Sequence, residues 1–527
     1  MNSWSRSGTG AMASPAPRRR TGVLALGLVL AFLVFGGTTH EGRRAVERDL
    51  AAGRFRATPA NIVRGLRAYL TNEDDMYRCW AYAQAILGRP YRAYFLRTRA
   101  QWDAAFARGE ATDPDTTPIV TPPRPLVPYR DFLLEYPPGF FLVLMPPALL
   151  ASTPDGYALA FKLQMALSLI FCAYAAVRLL RGVGVSAPQT PGRVCGAFAA
   201  AILAVGMVAT HRFDAFVAAA MMAAALAAVR GRAGAAGLAL GLAIAAKGVP
   251  LLLGPALLAW LWVERGRRAA LTFALTAAAV TVAFCAAAVA WCGGGVLGAV
   301  LYHRDRPVQI ESTPGALLLL GDWLRPGLVT IVHSFSSRNV RGAAVPAAGA
   351  LANALAALAT LAATMLAVVR LRGARESPAR LRALLEGVVP VLAAYVTLGK
   401  VFCPQYLVWL LPFAIVAAHL PGRGPLRRLA GLALLIATQL IYPVTYASLK
   451  AKAPWAAALV LGRNLGVLAW AFTLPASLPW PRRSAGTALS AEAHAGTTSP
   501  QRLPGAAGAA SFSGPRTRGW RTSKAGR

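Results

Sequence analysis

Apolar runs of about 15 to 24 residues, the shorter of them tilted or paired as at 233–263, alternate along this chain with short arginine-rich connections and with polar segments. These runs fall at 22–38, 157–179, 194–210, 213–229, 233–247, 249–263, 270–291, 346–369, 384–400, 405–420, 427–445 and 456–476. A helix rises 1.5 Å per residue, so about 20 residues cross a hydrocarbon core of about 30 Å. The pattern predicts an all-α polytopic membrane protein with about 12 transmembrane helices.

The run at 139–151 is apolar but short, and prolines at 137, 138, 146 and 147 interrupt it. These features predict a half-inserted or juxtamembrane segment. If this segment does not cross the membrane, all the arginine-rich connections lie on the same side of the membrane as the arginines at 18–20. These connections are at 178–193, 230–232, 265–268, 370–382 and 423–428. Because arginine concentrates in cytoplasmic loops, both termini are predicted in the cytoplasm of a multi-pass plasma-membrane protein.

Composition and charge fit this interpretation. The 527 residues are 56% hydrophobic and 14% charged, and the net charge of +34 is explained by the arginine-rich connections, so no nucleic-acid partner is predicted. The six cysteines lack the paired spacing of a metal site or a disulfide framework. The predicted parts are a cytoplasmic tail at 1–20, a membrane domain at 21–480 with an extracytoplasmic loop at 39–156, and a disordered basic cytoplasmic tail at 481–527 that contacts membrane lipids.

The longest polar interruption of the chain is 72–138, inside the first outer loop. Glu73, Asp74 and Asp75 precede a helix predicted at 76–87. One acid at a helix start serves as a cap, but three crowded carboxylates raise one another's proton affinity, so one of them is a candidate general base. Asp131 and Glu135 lie near the return to the bilayer, where the alternative to a role in the site is stabilisation of the loop.

Further polar residues fall on the same predicted face. Charges at a membrane edge usually lie toward a cavity, which makes them candidates for one site; they are His211, Arg212, Asp214, Lys247 and Lys400. The alternative for the lysines is that their ammonium groups extend to the interface. Arg304 and Arg306 are spaced to bind phosphate oxygens, or else to pair with nearby acids or lipid headgroups.

Several short motifs resemble a known family. They are the acidic pair before Tyr77, Gly-x-Pro-Tyr at 88–91, Tyr-Arg-Asp-Phe at 129–132, Glu-Tyr-Pro-Pro at 135–138, His-Arg-Phe-Asp-Ala at 211–215, Ala-Lys-Gly-Val-Pro at 246–250, the segment 306–312, the segment 400–412 and Arg-Asn at 463–464. In this order they resemble bacterial membrane glycosyltransferases of the C-type fold, most of all glycosyltransferase family 87, whose members use polyprenyl-phosphate-mannose. The resemblance covers about 72–475.

This resemblance implies that a hexose, mannose in the family, moves from a polyprenyl-phosphate donor to a lipid or glycan acceptor on the extracytoplasmic face. Its implied catalytic base is Asp75 or Asp74, and Arg304, Arg306, Lys247 and Lys400 are its implied donor-phosphate ligands. The substrate pocket that it implies contains Asp131, Glu135, Tyr136, Arg212, Asp214, Gln309, Glu311, Gln405 and Tyr406.

No cofactor and no metal cluster is predicted, although a divalent ion held by Asp74 and Asp75 stays an alternative. An insertion of roughly forty residues, 92–128, departs from the family pattern and leaves the substrate open. The rival functions are a transporter or flippase of lipid-linked sugar and an inactive structural relative. Transporters place broken helices and charges near mid-membrane, often in inverted repeats, whereas here the polar residues collect on one face and no repeat is detectable, which favours an enzyme.

Overall fold

A computed structural model describes residues 16–35, 74–93, 96–98 and 118–475, with the single positions 49, 54, 58, 60, 61, 100, 101 and 104. The predicted tails at 1–20 and 481–527, the loop residues 36–73 and the acidic residues at 103, 110, 113 and 115 therefore lie largely or wholly outside the described residues, as do the side chains of Glu73 and Asp74. The described part belongs to one compact unit, Met1–Ala476.

The protein is mostly helical, as the sequence predicts. The described α-helices are α1 Ala16–Phe35, α2 Asp74–Ile86, α3 Phe141–Leu150, α4 Pro154–Gly182, α5 Thr190–Val205, α6 Val208–His211, α7 Asp214–Val229, α8 Ala233–Ala246, α9 Gly254–Arg265, α10 Arg267–Cys292, α11 Leu297–Asp305, α12 Thr313–Leu324, α13 Val345–Gly373, α14 Ser377–Leu398, α15 Leu407–Ala418, α16 Pro425–Gln439, α17 Tyr446–Lys450 and α18 Pro454–Thr473. Short 3₁₀ turns at Pro138–Phe140, Val249–Leu253, Gly293–Val296 and Pro404–Tyr406 and a π-helical turn at Leu440–Val444 join some of them.

Five described helical segments are long and apolar enough to cross a membrane: Pro154–Gly182, Arg267–Asp305, Val345–Gly373, Ser377–Leu398 and Pro454–Thr473. Six further apolar helices of 10–17 residues accompany them. Two predicted spans, 249–263 and 427–445, are in neither group; the first begins with a 3₁₀ turn and the second ends in a π-helical turn. The predicted multi-pass helical architecture is confirmed, whereas the count of 12 is not: five spans are clear and the other apolar helices are short.

The arginine-rich helix ends meet on one face of the bundle. Arg380 at the start of α14 donates to Glu264 at the end of α9, with 2.9 Å between Nη1 and Oε1. Arg382 and Arg423, from α14 and the turn before α16, both contact the buried carboxylate of Glu386. Ion pairs between helices that run in opposite directions fix these ends at one level, which separates them from the polar residues at the other ends of the helices.

Helix α2 is the amphipathic helix that follows the acidic cluster; it was predicted at 76–87 and is observed at 74–86. Its apolar side is buried, and two polar contacts fix it to the start of α4: Tyr77 donates from its hydroxyl to Asp155 at 3.0 Å, and Trp80 donates from Nε1 to the carbonyl of Ser152 at 2.8 Å. The first turn of α2 therefore lies at the helix ends opposite the arginine-rich face.

The segment at 138–150 folds as a 3₁₀ turn followed by α3, whose ten residues span roughly 15 Å and cannot cross a bilayer. A close approach fixes its start, because a Cβ on Gly139 would lie 2.4 Å from the carbonyl carbon of Ala245 at the end of α8. Only glycine fits there, and the fit brings Tyr136 beside Lys247.

The described strands form two antiparallel pairs. Strand β1 (Tyr91–Arg92) pairs with β2 (Ile119–Val120), so the start of the predicted insertion at 92–128 lies beside its residues 119–120. Strand β3 (Thr330–Ser334) pairs with β4 (Ser337–Arg341) through a two-residue turn, Phe335 and Ser336, both with positive φ. This hairpin docks on the loop after α11, where the amide of Val340 donates to the carbonyl of Val308 at 2.8 Å.

Candidate active site

A cavity of about 460 Å³ opens at the helix ends opposite the arginine-rich face. Its walls come from the start of α2, the 135–136 loop, the turn before α7, the end of α8, the end of α11, the β3–β4 hairpin and the loop before α15. Most of the predicted site residues line it: Asp75, Glu135, Tyr136, Arg212, Lys247, Arg306, Gln309, Glu311, Gln405 and Tyr406. Segments far apart in sequence thus converge on one polar cavity.

Asp75 lies on the first turn of α2 and faces the cavity. Its Oδ1 accepts from Arg78 Nη2 at 2.8 Å, and its Oδ2 pairs with Arg212. Burial alone would raise the pKa of Asp75, but the two guanidinium groups outweigh burial and lower that pKa below its usual value. Asp75 is therefore ionised, and its neighbouring guanidinium groups lower its proton affinity, which contradicts the expectation that crowded carboxylates raise it.

Arg78 connects three walls of the cavity. Besides Asp75, its guanidinium contacts Glu135 Oε1 at 3.1 Å and donates to the Ser336 hydroxyl at 2.8 Å. Burial alone would raise the pKa of Glu135, but the Arg78 guanidinium and a hydrogen bond from Tyr302 outweigh burial and lower that pKa. Arg78 was not among the predicted site residues, although its i+3 spacing from Asp75 on a helix was a readable signal.

Lys247 follows the end of α8 and extends into a cluster of aromatic rings. Its Nζ lies 2.7 Å from Asp214 Oδ1. It also lies 4.5–5.9 Å from the ring centroids of Phe213, Trp409, Tyr406 and Tyr136, within the range of a cation–π contact. Asp214 is only 1% exposed, so it holds the lysine from behind, and it does not line the cavity.

Arg306 supplies a second cation to the same cavity. Its Nη2 lies 3.8 Å from Cys403 Sγ, and its buried Nε has no hydrogen-bond partner among the described residues. A guanidinium with unsatisfied donors beside a cavity is suited to an anion with several oxygens, such as a phosphate.

Glu311 forms the inner wall with Gln309. Gln309 donates from Nε2 to Glu311 Oε2 at 2.8 Å and accepts at Oε1 from the amide of Phe402 at 3.1 Å. Glu311 is 3% exposed, and its Oε1 has no partner among the described residues. Burial raises the pKa of Glu311 to about 7. One carboxyl oxygen beside the cavity is thus available to a ligand hydroxyl.

The pKa of Glu311 predicts how stability depends on pH. Below about pH 4.5 the folded and unfolded states both carry a protonated Glu311, whereas between about 4.5 and 7 only the unfolded state ionises, so stability falls as pH rises. We expect Glu311→Gln, which keeps the carboxyl neutral, to be more stable than the wild type by on the order of 3 kcal/mol above pH 7 and equally stable near pH 4.5. Thermal unfolding in nanodiscs at both pH values measures the difference.

Glu135→Gln is the matched control for this prediction, since Glu135 is also a buried glutamate of the cavity but has a lowered pKa. Its substitution should destabilise the protein at pH 8, because ionised Glu135 is paired with Arg78. Equal behaviour of the two variants would contradict the assigned difference between the carboxyls.

Four of the predicted site residues whose side chains the structure describes do not line the cavity. Arg304, with a side chain 71% exposed, pairs with its neighbour Asp305, and Lys400 donates to the carbonyl of Arg304 at 2.7 Å. Asp131 accepts from Arg124 at 2.7 Å and from the amide of Val127 at 2.7 Å, which is the loop-stabilising alternative. Asp214 lies behind Lys247. These geometries assign the four residues local structural contacts rather than positions in the cavity wall.

The hairpin wall was missed from the sequence. His333, Phe335, Ser336, Ser337 and Arg338 line the cavity, and Tyr302 packs its ring 5.0 Å from that of Phe335. The polar run from Ser334 to Arg341, inside an outer loop, was the available signal. In the part of the chain that the structure describes, no group of three or more His, Cys, Asp or Glu side chains is arranged to hold a metal ion.

Comparison with known proteins places this cavity in a family context. The chain is 17% identical to ArnT from Cupriavidus metallidurans in the apo state; the match covers 76% of this chain and 72% of that one, with a TM-score of 0.34. No curated protein compared with the chain matches it significantly. Residues 132–394 match the profile of Glycosyltransferase family 87 and include the cavity residues from Glu135 to Arg338. The chain therefore carries a glycosyltransferase family 87 domain within a multi-pass membrane protein.

Proposed function

We propose that the protein transfers a hexose, mannose in the first instance, from a polyprenyl-phosphate donor to a hydroxyl of a lipid or glycan acceptor. The observation that carries this proposal is that one cavity combines the Asp75 carboxylate, which precedes the family 87 match at 132–394, with Lys247 and Arg306, which lie within that match. A carboxylate that accepts a proton and cations that accept a leaving phosphate are the two requirements of such a transfer.

In this mechanism the acceptor oxygen attacks the anomeric carbon while the bond from that carbon to the donor phosphate breaks. The acceptor proton passes to Asp75, and the electron pair of the broken bond stays on the polyprenyl phosphate, beside Lys247 and Arg306. The ion pairs of Asp75 do not prevent this step, because an ionised carboxylate offers about four lone-pair sites and the two guanidinium groups occupy only part of them. Glu311 and Gln405 are placed to accept hydrogen bonds from, or donate them to, sugar hydroxyls.

The same proposal includes an orientation. The cavity faces the extracytoplasmic side of the plasma membrane, and both termini lie in the cytoplasm, because the helix ends on the other face carry the arginines. An extracytoplasmic site requires a donor whose sugar is already exposed on that side, which suits a lipid-linked sugar better than a soluble nucleotide sugar.

The test is transfer of label from a defined donor. Membranes with the protein are given radiolabelled polyprenyl-phosphate-mannose, and parallel samples receive polyprenyl-phosphate-glucose or a nucleotide sugar. We expect label to move into lipid or glycan from the mannose donor only. Transfer from the glucose donor alone would show that the transferred sugar is glucose, and transfer from the nucleotide sugar alone would contradict the proposal of a lipid-linked donor. Faster passage of the intact donor across vesicles without transfer would favour a flippase.

A further inference from the structure

A second cavity, of about 650 Å³, lies toward the arginine-rich face of the bundle. Helices α5, α15, α16 and α18 form its walls, and most of its lining is aliphatic, including Ala197, Ala201, Leu411, Ala414 and Leu435. It shares no lining residue with the candidate active site. The lining positions on α5 and α15 extend over about eleven residues of each helix, which is roughly 16 Å.

The mouth of this groove is cationic. Arg193 on the first turn of α5 and Arg428 on the first turn of α16 both line it, and His419 follows the end of α15 beside them. Both arginines are exposed, and neither guanidinium has an ion-pair or hydrogen-bond partner among the described residues.

The helix ends add to this charge. Helices α5 and α16 both begin at the mouth, at Thr190 and Pro425, so the positive ends of two helix dipoles point to the same place as the two guanidinium groups. An anionic group at the mouth would meet four favourable electrostatic contributions, and the cavity behind it offers only apolar side chains. This arrangement matches a molecule with a phosphate at one end and a hydrocarbon chain at the other.

We propose that the groove binds an anionic phospholipid of the surrounding membrane, with its phosphate between Arg193 and Arg428 and an acyl chain along α5 and α15. Residues 481–527 of this chain do not complement the mouth in charge, since they carry eight basic residues against one acid. The site is independent of the transfer reaction, because its residues lie on the other face of the bundle.

Binding is tested on the full chain in detergent with spin-labelled phosphatidylglycerol and phosphatidylcholine, from the fraction of lipid that the protein immobilises. The wild type should prefer phosphatidylglycerol. An arginine near an anionic lipid contributes roughly fivefold in affinity, so Arg193→Gln/Arg428→Gln should weaken phosphatidylglycerol binding about thirtyfold. Arg267→Gln/Arg268→Gln removes the same charge from the first turn of α10, away from the groove, and should leave binding unchanged.

A second variant tests the apolar part without changing charge. Ala197→Phe fills the groove between α5 and α15 and should lower binding of both lipids, whereas the glutamine pair should lower only that of phosphatidylglycerol. Equal affinity of the wild type for the two lipids, or equal losses in the groove pair and the control pair, would overturn the proposal. Displacement of the spin label by polyprenyl phosphate but not by unlabelled phosphatidylglycerol would overturn the assigned occupant.

Discussion

Asp75→Asn is expected to lower the rate of sugar transfer by a factor on the order of 10² to 10⁴, the usual contribution of a positioned general base. Asparagine keeps the size of the side chain and still accepts a hydrogen bond from Arg78 or Arg212, but its amide cannot take the proton of the acceptor hydroxyl. The measurement is the initial rate of label transfer from the lipid-linked donor, normalised to the amount of folded protein in the membrane.

Two matched substitutions separate this role from a general effect of charge. Asp131→Asn removes a carboxylate from the same outer loop, but its side chain pairs with Arg124 outside the cavity, so the rate should stay within about twofold of the wild type. Asp74→Asn distinguishes between the two acids at the start of α2. A larger loss for Asp74→Asn than for Asp75→Asn would transfer the role of base to Asp74.

The substrate should affect the Asp75 variant in a defined way. Because asparagine leaves Lys247 and Arg306 in place, the concentration of donor that gives half the maximal rate should change little while the maximal rate falls. A variant that instead binds the donor poorly at an unchanged maximal rate would make Asp75 a binding residue. That result would be consistent with its two ion pairs but not with its proposed role as base.

Two arginines of one short segment show how much of this site the sequence can predict. Arg304 and Arg306 are indistinguishable by spacing, yet α11 ends at Asp305, so Arg304 remains on the exposed side of the last helical turn and Arg306 enters the cavity. The motif 306–312 predicts that a binding segment exists. Which side chains of it face inward depends on the hairpin β3–β4 that docks against it, and that pairing between distant segments has no local signal.

The membrane helices give the same lesson at a larger scale. Apolar runs located the helices well, as α10, predicted at 270–291, is observed at Arg267–Cys292. The number of membrane spans is harder to predict from the sequence, because hydropathy does not distinguish a long helix that crosses the membrane from a short helix buried among other helices. Helix α15 has twelve residues, all buried, so its apolar sequence is explained by packing among other helices and does not by itself indicate a helix that crosses the membrane.

Lys247→Met is expected to lower the transfer rate by on the order of 10² to 10³, because it removes a cation from the proposed phosphate site. The same change leaves Asp214 as an unpaired charge in the interior, which costs about 3–5 kcal/mol of stability. A loss of activity in the single variant therefore has two explanations: a missing phosphate ligand, or a damaged structure around Asp214.

The double variant Lys247→Met/Asp214→Asn separates these explanations. Neutral residues in both positions remove the unpaired charge, so the free energy of unfolding should return to within about 1 kcal/mol of the wild-type value. If Lys247 binds the donor phosphate, the double variant regains stability and stays slow, and the donor concentration for half-maximal rate remains raised. Recovery of the rate together with stability would show instead that the lysine acts only to neutralise Asp214. The aromatic rings around Nζ favour the first result, because they hold the ammonium at the edge of the cavity, where its one hydrogen bond to Asp214 uses one of three donors.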